Sequence, residues 1–154
     1  MERKTKIHAE DGKQELWIDR EFELPVHSLF RAYVEAELLE QWMGTKVLRL
    51  DDRAPGGYRF QTTDPMGNDH FFKGCIHELR PNERISRTFE MENTGLPVQL
   101  ELLEFEALGS AKSRLRMQVI YQSVEVRDSI LKLPFAQGIN LAHDRLQEVV
   151  DKMK

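Results

Sequence analysis

The chain has 154 residues, a formal charge of −4 and both signs of charge interspersed along its length. That length suits one domain with a full core, and the charge excludes the basic face that nucleic-acid phosphates or an anionic membrane would require. No stretch reaches the roughly 20 apolar residues of a bilayer span, the opening MERKTKIHAEDGKQ lacks a signal-peptide core, and a lone Cys75 cannot form an internal disulfide. The expected compartment is the cytoplasm.

In chain order, residues 1–13 are polar and aperiodic and are expected to form a flexible segment. Alternation starts near Gln14, with Leu16, Ile18 and Phe22 on one face of a first strand. Pro25 suits the first turn of a helix whose stripe is Val26, Leu29, Phe30 and Tyr33, and a second short helix runs from Ala36 to Trp42, ended by Gly44. Strands follow, separated by turn signals at Pro55-Gly56-Gly57, Asp64-Pro65-Met66-Gly67-Asn68, Arg80-Pro81-Asn82-Glu83, Asn93-Thr94-Gly95 and Gly109-Ser110. Such punctuation predicts an antiparallel meander of about seven strands. Tyr58–Thr62 and Leu115–Val119 alternate apolar with polar residues, so the sheet has one dry face and one wet face.

The segment after Ser123 supplies the long helix that must cover the dry face. Phe135, Ile139, Ala142, Leu146, Val149 and Met153 make its apolar stripe, with Asn140, Asp144 and Gln147 placed elsewhere. Pro134 and Gly138 predict a break that separates Val124–Leu133 from the terminal helix.

Set in order, these residues resemble the helix-grip fold of the START and Bet v allergen (SRPBCC) superfamily, an α+β architecture in which a curved antiparallel sheet wraps a long C-terminal helix. More closely, the chain resembles stand-alone bacterial relatives of the C-terminal domain of the heat-shock protein 90 ATPase activator. The carrying residues are Ile18, Arg20, Phe22, Pro25, Leu29-Phe30, Ala32, Leu38-Leu39, Trp42 and Gly44, then Pro55-Gly56-Gly57-Tyr58-Arg59-Phe60. A third block, Gly74, Glu78, Pro81, Glu83-Arg84-Ile85 and Thr88-Phe89-Glu90, resembles the family's central hairpin, and Gly138 and Leu146 resemble landmarks of the last helix. Where the family often has Trp-Trp-Gly-Pro this chain has Trp42-Met43-Gly44-Thr45, and Ile139 replaces a frequent aromatic residue.

A curved sheet and a straight helix cannot touch along their whole length, so the space between them is either packed by side chains or left as an apolar pocket. Its expected walls are Trp42, Phe60, Phe72, Ile76, Phe89, Leu102, Met117, Phe135 and Ile139, with His143 either offering a polar group to a ligand or flanking the stripe in water. Cys75 and His77 share a strand face, about 6.6 Å apart, but lack an orienting third group. The remaining histidines have no metal-ligand spacing, and neither a catalytic set nor a cofactor motif is visible. The expected function is binding of a small hydrophobic or amphipathic molecule. The alternatives are a chaperone-associated or stress-response interaction module, which the resemblance implies, and a cyclase- or hydratase-type enzyme using a polar group in the cavity. Either a monomer or a homodimer fits.

Overall fold

The computed structural model describes residues 3–153. Eight strands form one antiparallel sheet: β1 Lys6–His8, β2 Glu15–Phe22, β3 Lys46–Leu50, β4 Gly56–Thr63, β5 Asp69–Arg80, β6 Arg84–Met91, β7 Gln99–Ala107 and β8 Ser113–Ile120. Helices α1 Val26–Val34 and α2 Ala36–Met43 follow β2, while α3 Val124–Leu131 and α4 Phe135–Asp151 close the chain. The spatial order is β1-β2-β8-β7-β6-β5-β4-β3, so β3 to β8 form a meander and β2 returns beside the last strand. This is a helix-grip arrangement.

The extra strand comes from the segment expected to be flexible. Lys6–His8 pairs with β2 in the register Ile7 to Ile18, and Thr5 Oγ1 lies 2.9 Å from His143 Nδ1 on α4. Composition hid this because the segment is polar and its contact with His143 lies on a helix far downstream.

Local signals account for most boundaries. The Pro25 carbonyl accepts from Leu29 N at 3.1 Å, starting α1, and Gly44 ends α2 at φ 64°, a left-handed conformation that glycine adopts without a Cβ penalty. Ser123 caps α3 by accepting from Val126 N at 3.2 Å. The predicted break falls at Pro134, between α3 and α4, whereas Gly138 sits inside α4 without interrupting it. Alternating burial along β2 and β8 puts Leu16, Ile18, Arg20 and Phe22 opposite Val119, Met117, Leu115 and Ser113 on the inner face.

The core lies between that face and the helices, with Phe30 and Tyr33 of α1 meeting Phe105 edge-on at 5.1 and 5.6 Å. On α4 the buried residues are His143, Leu146 and Val150. Phe135, Ile139, Ala142 and Val149 pack at the edge of the core, and Met153 lies beyond the helix in solvent, which shifts the expected stripe toward His143.

Candidate functional site

Of the predicted walls, Trp42, Phe60, Ile76 and Met117 are buried in the continuous core, and Phe72, Phe89, Phe135 and Ile139 are half-buried at its margin. Leu102 is a correction: it lies on the outer face, paired with Ser86 and Gln118, while Glu101 and Leu103 point inward. The run Leu100-Glu101-Leu102-Leu103 permits either face. Leu103 and Phe105 select one, since Phe105 packs under Phe30 and Tyr33 and leaves Leu100 and Leu102 outward.

Near α2 the space between sheet and helix is occupied. Trp42 donates from Nε1 to the Ala32 carbonyl at 2.8 Å and its ring stands 5.1 Å from Tyr33, so it plugs that end. His143 is inside the protein and not flanking the stripe in water. Thr5 Oγ1 holds its Nδ1, Tyr33 Oη lies 3.5 Å from Nε2, and Phe22 stands edge-on at 5.5 Å. Burial drives its pKa down to about 3, helped by Arg20 and opposed by Asp144. Arg20 is also buried; it donates to Thr5 Oγ1 at 3.1 Å and pairs with Asp144 at 2.9 Å. Together these groups tie β1, β2 and α4 into one polar knot.

A second interior cluster was not anticipated. Inward positions of β6 and β7 carry Arg87 and Glu101, which face each other directly across the two strands. Arg87 Nε donates to Glu101 Oε1 at 2.9 Å, and Gln99 Nε2 donates to Oε2 at 2.8 Å. Their side chains are 13% and 6% exposed. Burial opposes the Arg87 charge, but Glu101 more than offsets it and the guanidinium is held above its ordinary pKa. Around the pair stand Tyr33, Tyr58 and Tyr121, all raised by burial and therefore neutral donors at ordinary pH.

Both Glu101 oxygens are taken, and the Tyr58 hydroxyl is spent on the Thr88 carbonyl. Arg87 Nη1 and Nη2 make no hydrogen bond to the described residues, and the sealed polar atoms without partners are Arg20 Nε and Ser113 Oγ instead. Arg87 Nη1 and Nη2 are therefore reached by solvent, and Ile76 stands across from Arg87 on β5. Two residues along β6 lies Phe89, stacked on Phe72 at 5.4 Å and 25°. Glu101 accepts one hydrogen bond on each oxygen, from Arg87 and from Gln99.

Sequence held a signal for this cluster: Arg87 and Glu101 break the apolar rhythm of two inward faces. It was masked because each residue alone reads as a solvated strand charge.

Cys75 and His77 are exposed on the outer face, apart from the interior. There a shallow concavity of about 710 Å³ runs over β3 to β6, lined by Arg49, Arg59, Lys73, Cys75 and Glu90 among others. Arg49 and Arg59 are already paired with Asp51 and Glu92. Among the described residues no group of three or more His, Cys, Asp or Glu is placed to hold a metal ion, and no helix is long and apolar enough to cross a membrane.

A helix-grip domain with an interior polar anchor defines the class of protein. Within it, the family described as Activator of Hsp90 ATPase homolog 1-like protein matches residues 23–151, and the chain belongs to that family. Solved structures with the same fold include a Rhodobacter sphaeroides protein, with TM-score 0.84 and 20% identity over 97% of this chain and 100% of that one. A Nitrosomonas europaea protein matches with TM-score 0.80 and 23% identity over 94% and 98%, and a Mycobacterium smegmatis protein with TM-score 0.82 and 23% identity over 94% of each. These identities establish the fold alone. No curated protein matches the chain in sequence.

Proposed function

We propose that this protein binds a small hydrophobic or amphipathic molecule between the inner face of its sheet and α4. The observation that carries the reading is an inner sheet face on which the stacked, half-buried Phe72 and Phe89, at the margin of the core, lie along the strands from the buried Arg87–Glu101 pair.

Thermal unfolding against a panel of lipids, aromatic polyketides and flavonoids tests it. A ligand of the native state at a hundredfold excess over Kd adds about 2.7 kcal/mol, which raises the Tm of a chain this size by roughly 5–10 °C. A panel without any such rise argues against the reading. The family description and the exposed Leu133 and Leu141 beside and on α4 favour a second reading, a chaperone-associated interaction module. Stimulation of a co-purifying chaperone's ATPase by this protein, lost in Leu141→Glu, would distinguish it.

A further inference from the structure

We propose that two copies of this protein pair through the outer face of β2, β8, β7 and β6, about a two-fold axis that runs along the strands between β7 and β8. The helices pack into the core on the inner face, which leaves the outer face of these strands without a helix over it. Charge on that outer face is sorted by strand. The outward positions of β8 are Arg114, Arg116, Gln118 and Ile120, and level with them on β7 stand Glu106, Glu104, Leu102 and Leu100. Beside β8, β2 contributes Asp19 and Trp17; beside β7, β6 contributes Arg84 and Ser86. At the level of Asp19, Arg116, Glu104 and Arg84, successive strands therefore alternate acidic and basic. Farther along, Trp17, Leu102, Ile120 and Leu100 are half-buried or exposed and make an apolar patch, with Leu100 39% exposed.

Such a pattern is complementary to itself, as an isologous contact requires. The two-fold axis between β7 and β8 lays β8 of one copy over β7 of the other and β2 over β6, each residue keeping its level. Arg116 then meets Glu104 of the second copy and Arg114 meets Glu106, each twice, while Asp19 meets Arg84 and Ile120 meets Leu100. An axis over β8 itself would set Arg116 on Arg116 and Asp19 on Glu104, which like-charge repulsion opposes. Arg116 lies 3.8 Å from Asp19 and Glu104 3.4 Å from Arg84 within the chain, yet their side chains are 46% and 51% exposed and can take a second contact. Four strands about 4.8 Å apart and seven residues long at about 3.4 Å each offer roughly 450 Å² per copy. That is below the standard interface size, so the dimer is weak.

Sedimentation equilibrium of the full chain tests this pairing, which does not depend on an interior ligand. Wild type is expected to show a monomer–dimer equilibrium with Kd of roughly 10–100 μM. Arg116→Glu places two acidic pairs across the axis and Glu104→Arg places two basic ones, so each variant alone is expected to dimerise at least about tenfold more weakly. Leu100→Lys, at an exposed position of the apolar patch, is expected to weaken association in the same way. An equimolar mixture of Arg116→Glu and Glu104→Arg should recover wild-type association, because each copy supplies the charge the other lacks. Misfolding of a variant cannot produce that recovery. A wild type that stays monomeric to about 500 μM, single variants that associate as wild type does, or a mixture that stays as weak as its components overturns the proposal.

Discussion

Replacing Arg87 alone by methionine strands Glu101 among apolar groups with only Gln99 as donor. Breaking one side of a buried pair costs about 3–5 kcal/mol, and urea unfolding of Arg87→Met is expected to show a loss of that size. The Arg87→Met, Glu101→Leu double variant removes both charges and should recover most of it; a double variant as weak as the single one would mean that the pair does not act as a unit.

His143 makes the second prediction at this scale. Its folded pKa, about 3, lies below the ordinary histidine value, so the unfolded chain binds the extra proton first. Its contribution is present above an unfolded pKa of about 6.5 and is lost as the pH falls toward the folded value, at up to about 1.4 kcal/mol per pH unit. Arg20 from β2 and Asp144 from its own helix are the charges that act on it, with Tyr33 of α1 against Nε2. Denaturant unfolding of wild type and His143→Gln between pH 7 and 4 should give a shallower fall in the variant. Parallel curves would refute the assignment.

Two glycines separate element-level roles that look alike in the sequence. At Gly138, within α4, an added Cβ meets nothing within 4 Å, so Gly138→Ala is expected to stabilise by about 0.5–1 kcal/mol through helix propensity and chain entropy. Gly74 on β5 lies directly across from Tyr58 on β4, and a Cβ there would collide with the Tyr58 hydroxyl and the Thr88 carbonyl. Gly74→Ala should therefore destabilise by about 2–3 kcal/mol. Thermal melts of the two variants moving in the same direction would contradict this account. The elements themselves were largely legible. Proline, glycine and serine at Pro25, Gly44, Ser123 and Pro134 act over a few residues, which is the range at which sequence patterns operate. The face that β7 turns inward was not legible, because Leu100, Leu102 and Leu103 serve either register and the decision is made by packing under Phe30 and Tyr33.

For the whole molecule, β1 is a seal as well as an edge strand. Removing residues 1–9 deletes its pairing with β2 and takes Thr5 away from both Arg20 and His143. With unpaired buried groups costing about 1–3 kcal/mol each, the truncated protein is expected to melt well below wild type, and an unchanged Tm would show that the segment is dispensable. The sequence by itself determined the strand-and-helix order, the one-sided sheet and the family, because alternation, turn chemistry and helical stripes are local and survive without partners. Only the tertiary structure decided that Lys6–His8 joins the sheet, that Leu102 faces out, that His143 is sealed, and that Arg87 meets Glu101 inside. Each of those outcomes is set by which neighbours polar or ambiguous residues meet across strands and helices, and a charge shows whether it is solvated or buried only once its partner stands beside it.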